Sequence, residues 1–415
     1  MNKYGCIGKK LSHSFSKEIH ARLADYEYEL IELDLEQVKP FLTGKNFNAI
    51  NVTIPYKETV IPYLDEISDI ARRIGAVNTI VNRDGKLLGY NTDYYGMKAL
   101  IERVGLNFYG KKVLVLGTGG TSKTARVVAK DLGAKEILIV SRNKSSEYVD
   151  YAQALNVHKD AQIIINTTPS GMYPNVKGKP IDVFSFPKLE GVIDAVYNPL
   201  RTELILDAKE KGIKAEGGLY MLVMQAVVAV EKFLDKKIDK SVADKVFKEI
   251  LSEKENVVLT GMPGSGKSTV GKLLNIAGFE FIDTDKEIED RAGCTIKDLI
   301  ENKGEKFFRD LEEEVIFDVS QSSRRIISTG GGAILRKENV RRLKSNGKIF
   351  YIDAKIERLS STDSRPLSNT KEKLEKLYLE RKDIYNSTAD EIVPDMETPE
   401  MEANYILEKR MEKTL

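Results

Sequence analysis

The chain has 415 residues, 41% apolar and 31% charged, with 64 basic side chains against 63 acidic ones and a formal net charge of +1. That length suits two or three domains with proper cores, and so even a charge balance excludes wholesale attraction to nucleic acid or an anionic membrane. Two cysteines (Cys6, Cys294), far apart in sequence, imply no disulfide framework or Cys-based metal site, and three histidines (His13, His20, His158) are too few and scattered for a zinc site. Met1-Asn2-Lys3-Tyr4-Gly5 carries no apolar signal core, and no stretch reaches the length of a membrane helix, so a cytoplasmic setting is expected. Oligomeric state is not legible.

Short apolar runs alternate with helical periodicity along the chain. Strands are expected at 3–7, 28–33, 49–52, 113–116, 136–140, 163–166, 191–194, 257–260, 279–283, 325–328 and 348–352, with helices such as 121–132, 221–233, 239–255 and 267–277 between them. This alternation predicts an α/β fold built on parallel sheets. A polar helical stretch ends in Ser252-Glu253-Lys254-Glu255-Asn256, which places the main domain boundary between 1–253 and 254–415. A weaker boundary near 106–110 divides the first domain into 1–106 and a Rossmann-like 107–218, with the helices of 219–253 returning to the first part.

Two phosphate-cradling signals lie about a domain apart. In the first, Val113-Leu114-Val115-Leu116 leads into Gly117-Thr118-Gly119-Gly120-Thr121 and a helical segment containing Ala125. Glycines between a strand and a helix let the backbone approach a pyrophosphate at the positive helix end, a variant of the dinucleotide fingerprint. The next strand ends in Ser141-Arg142-Asn143-Lys144, with no carboxylate to grip a ribose diol. Arg142 and Lys144 suit the 2′-phosphate of NADP(H), or are solvated loop residues. Asn166-Thr167-Thr168-Pro169 closes a further strand and suits the wall of the same cleft.

The second signal is Gly261-Met262-Pro263-Gly264-Ser265-Gly266-Lys267-Ser268-Thr269 after Val257-Val258-Leu259, a full P-loop in a strand–loop–helix context. Its backbone N–H groups suit the β-phosphate of ATP, Lys267 the β- and γ-oxygens, and Ser268 a Mg²⁺ ion. The following strand ends in Asp283-Thr284-Asp285, where Asp283 suits the Mg²⁺ and Asp285 suits accepting a hydroxyl proton. The strand at 325–328 ends in Thr329-Gly330-Gly331-Gly332, with no acidic residue, which leaves the metal role with Asp283.

Longer motifs narrow the reading. Ser12-His13-Ser14-Phe15-Ser16, Asn51-Val52-Thr53-Ile54-Pro55-Tyr56-Lys57, Gly75-Ala76-Val77-Asn78-Thr79, Gly89-Tyr90-Asn91-Thr92-Asp93, Tyr197-Asn198-Pro199 and Gly218-Leu219-Tyr220-Met221 through Gln225 follow in order. On these segments residues 1–253 resemble shikimate dehydrogenase. Hydride reduction of a ring ketone leaves an alkoxide that needs a proton; Lys57 suits that transfer, and Asp93 suits orienting its ammonium. Ser14 and Ser16, two apart, would present both hydroxyls to a carboxylate if the chain is extended, or one of them caps the next helix. The resemblance implies that Thr53, Asn78, Tyr197 and Gln225 also contact substrate and that Ala195 and Gly218 border the nicotinamide. Lys17 stands where that family usually has proline.

Residues 254–415 resemble shikimate kinase through the P-loop, Asp283-Thr284-Asp285, Phe308-Arg309-Asp310-Leu311-Glu312, Gly330-Gly331-Gly332, Arg365-Pro366-Leu367 and Leu377-Tyr378-Leu379-Glu380-Arg381 with Tyr385. The resemblance implies that Asp285, Arg309, Gly331, Gly332 and Arg381 hold shikimate, and that Arg365 lies in a lid reaching the transferred phosphoryl group and the ATP. The stretch before Arg365 is short and poor in basic residues, and Asp383 replaces a frequent proline.

The expectation is a bifunctional enzyme of aromatic amino-acid biosynthesis, reducing 3-dehydroshikimate with NADPH and then phosphorylating shikimate with MgATP. Two alternatives stand beside it: a quinate/shikimate dehydrogenase using NAD fused to the kinase, or one half serving only as a ligand-sensing module.

Overall fold

In the computed structural model, which describes residues 3–11, 14–143, 145–359 and 370–412, the chain divides into two compact units, Met1–Ile250 and Leu251–Leu415. The division falls inside the helix Lys240–Lys254, a few residues before the expected boundary after residue 253.

The first unit contains two sheets. One has six strands in the order Tyr28–Glu32, Tyr4–Gly8, Ala49–Val52, Thr79–Arg83, Lys86–Tyr90, Glu66–Ile67. Its pairs are parallel except where Thr79–Arg83 runs against both neighbours. The other is wholly parallel, in the order Lys214–Glu216, Gly191–Asp194, Ile163–Asn166, Lys112–Leu116, Glu136–Val140. Its strand Lys112–Leu116 carries Val113, Leu114, Val115 and Leu116, all fully buried, as a parallel strand covered on both faces requires. From Lys112–Leu116 the chain goes first to one side of the sheet and then to the other. The crevice at that reversal opens at the carboxyl ends of the strands, beside Gly117 and Thr167.

The second unit is built on a parallel sheet ordered Glu280–Asp283, Arg325–Ser328, Asn256–Thr260, Gly347–Asp353, Glu391–Pro394. Val258, Ile327 and Ile349 face one apolar layer, and Val257, Leu259, Phe350 and Ile352 face the other. All the strand ends that carry motifs, after Thr260, Asp283 and Ser328, point to one edge.

The sheets include five strands that a reading of apolar runs does not anticipate: Glu66–Ile67, Thr79–Arg83, Lys86–Tyr90, Lys214–Glu216 and Glu391–Pro394. The helix expected at 267–277 stops at Leu273, because Asn275 and Gly278 adopt positive φ values of 20° and 77°.

Two helices bring the substrate-side residues of the first unit together. Asp93–Val104 packs along Leu219–Leu234, closely enough that a Cβ on Gly96 would lie 2.5 Å from the Met221 carbonyl oxygen. Only a glycine allows that approach, and it sets the start of one helix beside Gln225 of the other.

Behind the six-stranded sheet edge, His20 is fully buried and stacks on the Tyr28 ring at 3.9 Å, with Nδ1 2.7 Å from the Tyr26 hydroxyl. Burial pushes its imidazole down to about 3, so it is neutral in the folded state. As pH falls below about 6.5, the unfolded chain takes up a proton that folded His20 refuses. The first unit is therefore expected to lose up to a few kcal/mol progressively between about pH 6.5 and 3. Denaturant midpoints measured across this range should show a shallower acid slope for His20→Phe. An unchanged slope would assign the loss to other groups.

Candidate active sites

Within the first unit, a cleft of about 1100 Å³ lies between elements of the two sheets. Every described residue expected there lines it. From the substrate side come Ser14, Ser16, Thr53, Lys57, Asn78, Asp93, Tyr197 and Gln225; from the cofactor side come Gly117 through Thr121, Ser141, Arg142, Asn143, Ala195 and Gly218. Lys144 lies outside the described residues.

At its centre the Lys57 Nζ donates to Asp93 Oδ2 at 2.6 Å, with the two side chains only 13% and 10% exposed. Asp93 opens the helix Asp93–Val104, and its other oxygen accepts from Asn78 Nδ2 at 2.9 Å. Asn78 Oδ1 in turn accepts from the Thr92 backbone N–H at 2.7 Å. This chain of bonds fixes where the ammonium sits. Gln225, nearly buried on an apolar helix, donates Nε2 to the Leu222 carbonyl and accepts at Oε1 from the Thr92 hydroxyl. Burial pushes the Tyr197 phenol up to about 12, so it stays a donor at neutral pH. The Cys6 thiol, also on the cleft wall, is pushed to about 12 by burial and is no thiolate nucleophile.

Ser14 and Ser16 differ from the extended-chain expectation. Phe15 between them is helical (φ −82°, ψ −1°), and Ser16 is the first residue of the helix Ser16–Leu23. Their hydroxyls still meet, with Ser14 Oγ donating to Ser16 Oγ at 3.1 Å. Phe15 holds the N-cap position without a side-chain cap bond, and Ser14 Oγ accepts from the Ser16 backbone N–H at 3.3 Å, so Ser14 satisfies one of the free N–H groups at the helix start.

The cofactor wall fits a dinucleotide. Gly117 has φ 106°, and a Cβ there would lie 2.9 Å from Thr167 Oγ1, whereas a Cβ on Gly119 would meet nothing within 4 Å. The loop is therefore packed from behind and open toward the cleft, at the N-terminus of the helix Gly120–Asp131. Arg142 is exposed on the cleft rim just beyond the strand Glu136–Val140. Thr167, Thr168 and Asn51 also line the cleft. Asn51 has no assigned role in the sequence motifs; it bonds Thr79 and Tyr28 from inside the sheet.

In the second unit the P-loop bends through Gly261, Gly264 and Gly266 at positive φ. Lys267 Nζ donates to the carbonyls of Gly261 and Met262 at 3.0 and 2.8 Å. Pro263 packs on Gly331, and Thr269 is exposed. Among the described residues Ser265 Oγ is buried without a hydrogen-bond partner, an orphan that a phosphate oxygen would satisfy. Ser268 Oγ donates to Asp283 Oδ2 at 2.6 Å, so the two groups suited to Mg²⁺ are adjacent. No group of three or more His, Cys, Asp and Glu gathers among the described residues, so the phosphates would have to complete any such site.

Facing the P-loop, the segment Gly330-Gly331-Gly332 collects the remaining groups. A Cβ on Gly330 would lie 2.4 Å from Asp285 Oδ1, and one on Gly332 would lie 2.4 Å from the Arg309 guanidinium. Arg381 Nη1 donates to the Gly331 carbonyl at 3.1 Å. Arg309 also donates to Glu312 at 2.8 Å, a fully buried carboxylate whose pKa burial pushes up. The Tyr385 hydroxyl lies within hydrogen-bonding distance of the Gly261 and Gly331 carbonyls, tying the P-loop to the glycine segment. Sequence alone assigns no role to Glu312 or Tyr385. Arg365 lies outside the described residues.

Comparison with known proteins accords with this geometry. The family model described as the shikimate dehydrogenase substrate binding domain matches residues 6–80, and that described as shikimate kinase matches residues 263–411. A shikimate dehydrogenase (NADP(+)) of Clostridium perfringens is 39% identical over 268 residues, covering 60% of this chain and 98% of the relative. The crystal structure of shikimate dehydrogenase 1 from Peptoclostridium difficile superimposes with a TM-score of 0.56 at 38% identity, covering 60% of this chain and 98% of that one. A Thermus thermophilus shikimate 5-dehydrogenase, solved in complex with NADP(H) and shikimate, gives 0.54 at 27% identity, covering 60% and 99%. Among the described residues no helix is long and apolar enough to cross a membrane.

Gly218 offers a direct test of the cofactor wall. A Cβ there would lie 2.3 Å from the Ala195 carbonyl oxygen, a backbone atom that cannot swing aside. Gly218→Ala is expected to lose about 1–3 kcal/mol of stability through overpacking. It should also weaken NADPH binding, because the Ala195 segment must shift. Thermal melts and a fluorescence titration with NADPH check both, and unchanged values would show slack in that wall.

Proposed function

The chain belongs to the shikimate dehydrogenase family, with a shikimate kinase domain in the same polypeptide, and from this premise we propose that it runs two consecutive reactions. As a bifunctional shikimate-pathway enzyme it joins an oxidoreductase to a kinase. The specific reading is reduction of 3-dehydroshikimate to shikimate with NADPH, then phosphorylation of the shikimate 3-hydroxyl with MgATP. The observation that carries it is the Lys57–Asp93 pair at 2.6 Å, set in a cleft with a glycine-rich dinucleotide loop on its other wall.

In the dehydrogenase unit, NADPH when bound supplies the hydride. Lys57 gives the nascent alkoxide its proton and takes it back in reverse. Asp93 holds the Lys57 ammonium in place and, through Asn78, is itself held. The Ser14 and Ser16 hydroxyls grip the substrate carboxylate, and Thr53, Asn78, Tyr197 and Gln225 contact its polar groups from the cleft wall. The Gly117–Gly120 turn takes the pyrophosphate. Arg142 takes the 2′-phosphate, in keeping with the NADP(+) named for the Clostridium perfringens relative.

In the kinase unit, ATP when bound supplies the phosphoryl group. Asp285 accepts the hydroxyl proton, Arg309 and Arg381 pair with the carboxylate, and Gly331 and Gly332 let the backbone lie against the ring. Lys267, Ser265 and the loop amides receive the phosphates, while Ser268 and Asp283 receive Mg²⁺. The presence of Lys57, Asp93, Lys267 and Asp285, with the first two paired in the first unit's cleft, supports two active halves over a sensor that has lost its chemistry.

A coupled assay of the purified chain with 3-dehydroshikimate, NADPH and MgATP tests the whole reading, and shikimate 3-phosphate should accumulate with NADPH loss. Lys57→Ala should cut ketone reduction by roughly 10²–10⁴-fold while NADPH still binds and added shikimate is still phosphorylated. Near-normal reduction by that variant would remove Lys57 from the chemistry.

Arg381→Ala should weaken shikimate binding to the kinase roughly ten- to a hundredfold, as expected for loss of a charge-assisted contact, with little change for ATP. Were the loss to fall mainly on ATP, Arg381 would belong to the nucleotide side instead.

A further inference from the structure

The helix Gly120–Asp131, whose N-terminus lines the cleft, is fastened at both ends to the residues that directly follow Lys57 and Asp93. Near its start, Lys123 Nζ lies 2.7 Å from Glu58 Oε2, and Glu58 is the neighbour of Lys57. At its last residue, Asp131 Oδ2 accepts from the Tyr94 hydroxyl at 2.8 Å, and Tyr94 is the neighbour of Asp93. The second Asp131 oxygen is held by Arg73, from the helix Asp69–Ile74. Between the two ties, Gly120 backs onto Lys57, and a Cβ there would lie 3.4 Å from Lys57 Cδ.

A helix of three turns is stiff along its axis. A ligand that draws in its first turn therefore moves both fastenings together, one toward the loop of Lys57 and the other toward the helix start that carries Asp93. We infer that Glu58, Lys123, Tyr94 and Asp131 are positioning residues through which occupancy of the dinucleotide site is transmitted to Lys57 and Asp93, so that NADP⁺ and shikimate tighten each other's binding. This inference rests on the proposed roles of Lys57 and Asp93. The Lys123–Glu58 pair is partly exposed, with side chains 36% and 52% accessible, so its removal should leave the fold intact. The Tyr94 phenol is pushed up to about 12, chiefly by burial, and stays a donor across the neutral range.

Coupling between two sites is reciprocal, so it can be read on either ligand. NADP⁺ is the better probe, because shikimate also has the kinase site. The dissociation constant of NADP⁺ is measured on the full chain with and without saturating shikimate, for wild type, Glu58→Gln, Tyr94→Phe and both together. The wild-type ratio should exceed one and shrink by about two- to fivefold in each single variant, as befits contacts of this kind. In the double variant it should approach one, with thermal melts close to wild type. Exchanging the charges, Glu58→Lys with Lys123→Glu, should recover part of what Glu58→Gln loses, which a merely structural role would not predict. A ratio unchanged in the double variant, or a wild-type ratio of one, overturns the inference. Because this readout is binding, it stays separate from the Lys57→Ala turnover test: loss of turnover there with an unaltered ratio here would sink the coupling and leave the catalytic assignment standing.

Discussion

An ammonium and a carboxylate held 2.6 Å apart and almost out of water constrain the whole first unit. Such a pair is favourable only when its remaining hydrogen-bonding capacity is met and its geometry is fixed, because desolvation opposes it. The fold meets both conditions from several directions. Asn78, at the edge of the antiparallel strand, satisfies the second oxygen of Asp93. Gly96 lets the helix that begins at Asp93 close on the returning helix, which carries Gln225. Gly120 brings the cofactor loop against the Lys57 stem. What looks like two sheets with a groove between them is, in these terms, a scaffold for keeping one buried charge pair aligned.

The second unit solves a related problem with backbone instead of side chains. Three consecutive glycines after the strand Arg325–Ser328 present bare peptide to Asp285, Arg309 and Arg381 at once. Any Cβ at Gly330 or Gly332 would collide with Asp285 or Arg309. The carboxylate beneath, Glu312, is fully buried and neutralised mainly by Arg309, which anchors that guanidinium from behind. Tyr385, stacked flat on Tyr351 at 4.9 Å, closes the arrangement by touching both loops. The glycine segment is thus held from several sides, with two guanidinium groups beside it.

How much of this is legible in the chain depends on whether a signal is local. The two glycine-rich loops are readable because positive φ and close approach demand glycine, whatever the rest of the protein does. Lys57 and Asp93 are readable from motif and chemistry, but their contact is not, since 36 residues separate them and only the sheet brings them together. Glu312 and Tyr385 sit in quoted motifs yet act on loops 54 or more residues away or across a buried contact, so a scan along the chain has no reason to single them out. The hairpin of Thr79–Arg83 and Lys86–Tyr90 has a local signal, Asp84-Gly85 with φ of 51° and 82°, that a search for apolar runs passes over. Ser14 and Ser16 show the opposite case: the right residues converge, but through a helix start and not an extended strand.

The posture of Lys267 bears on what the P-loop will accept. Its ammonium donates to two carbonyls of its own loop, those of Gly261 and Met262. Against these neutral acceptors, an acceptor bearing full negative charge is favoured. A nucleoside or any uncharged mimic would leave the lysine folded on itself. The same two bonds keep the lysine folded against its own loop, where an exchange of partners would favour a polyphosphate over an uncharged mimic.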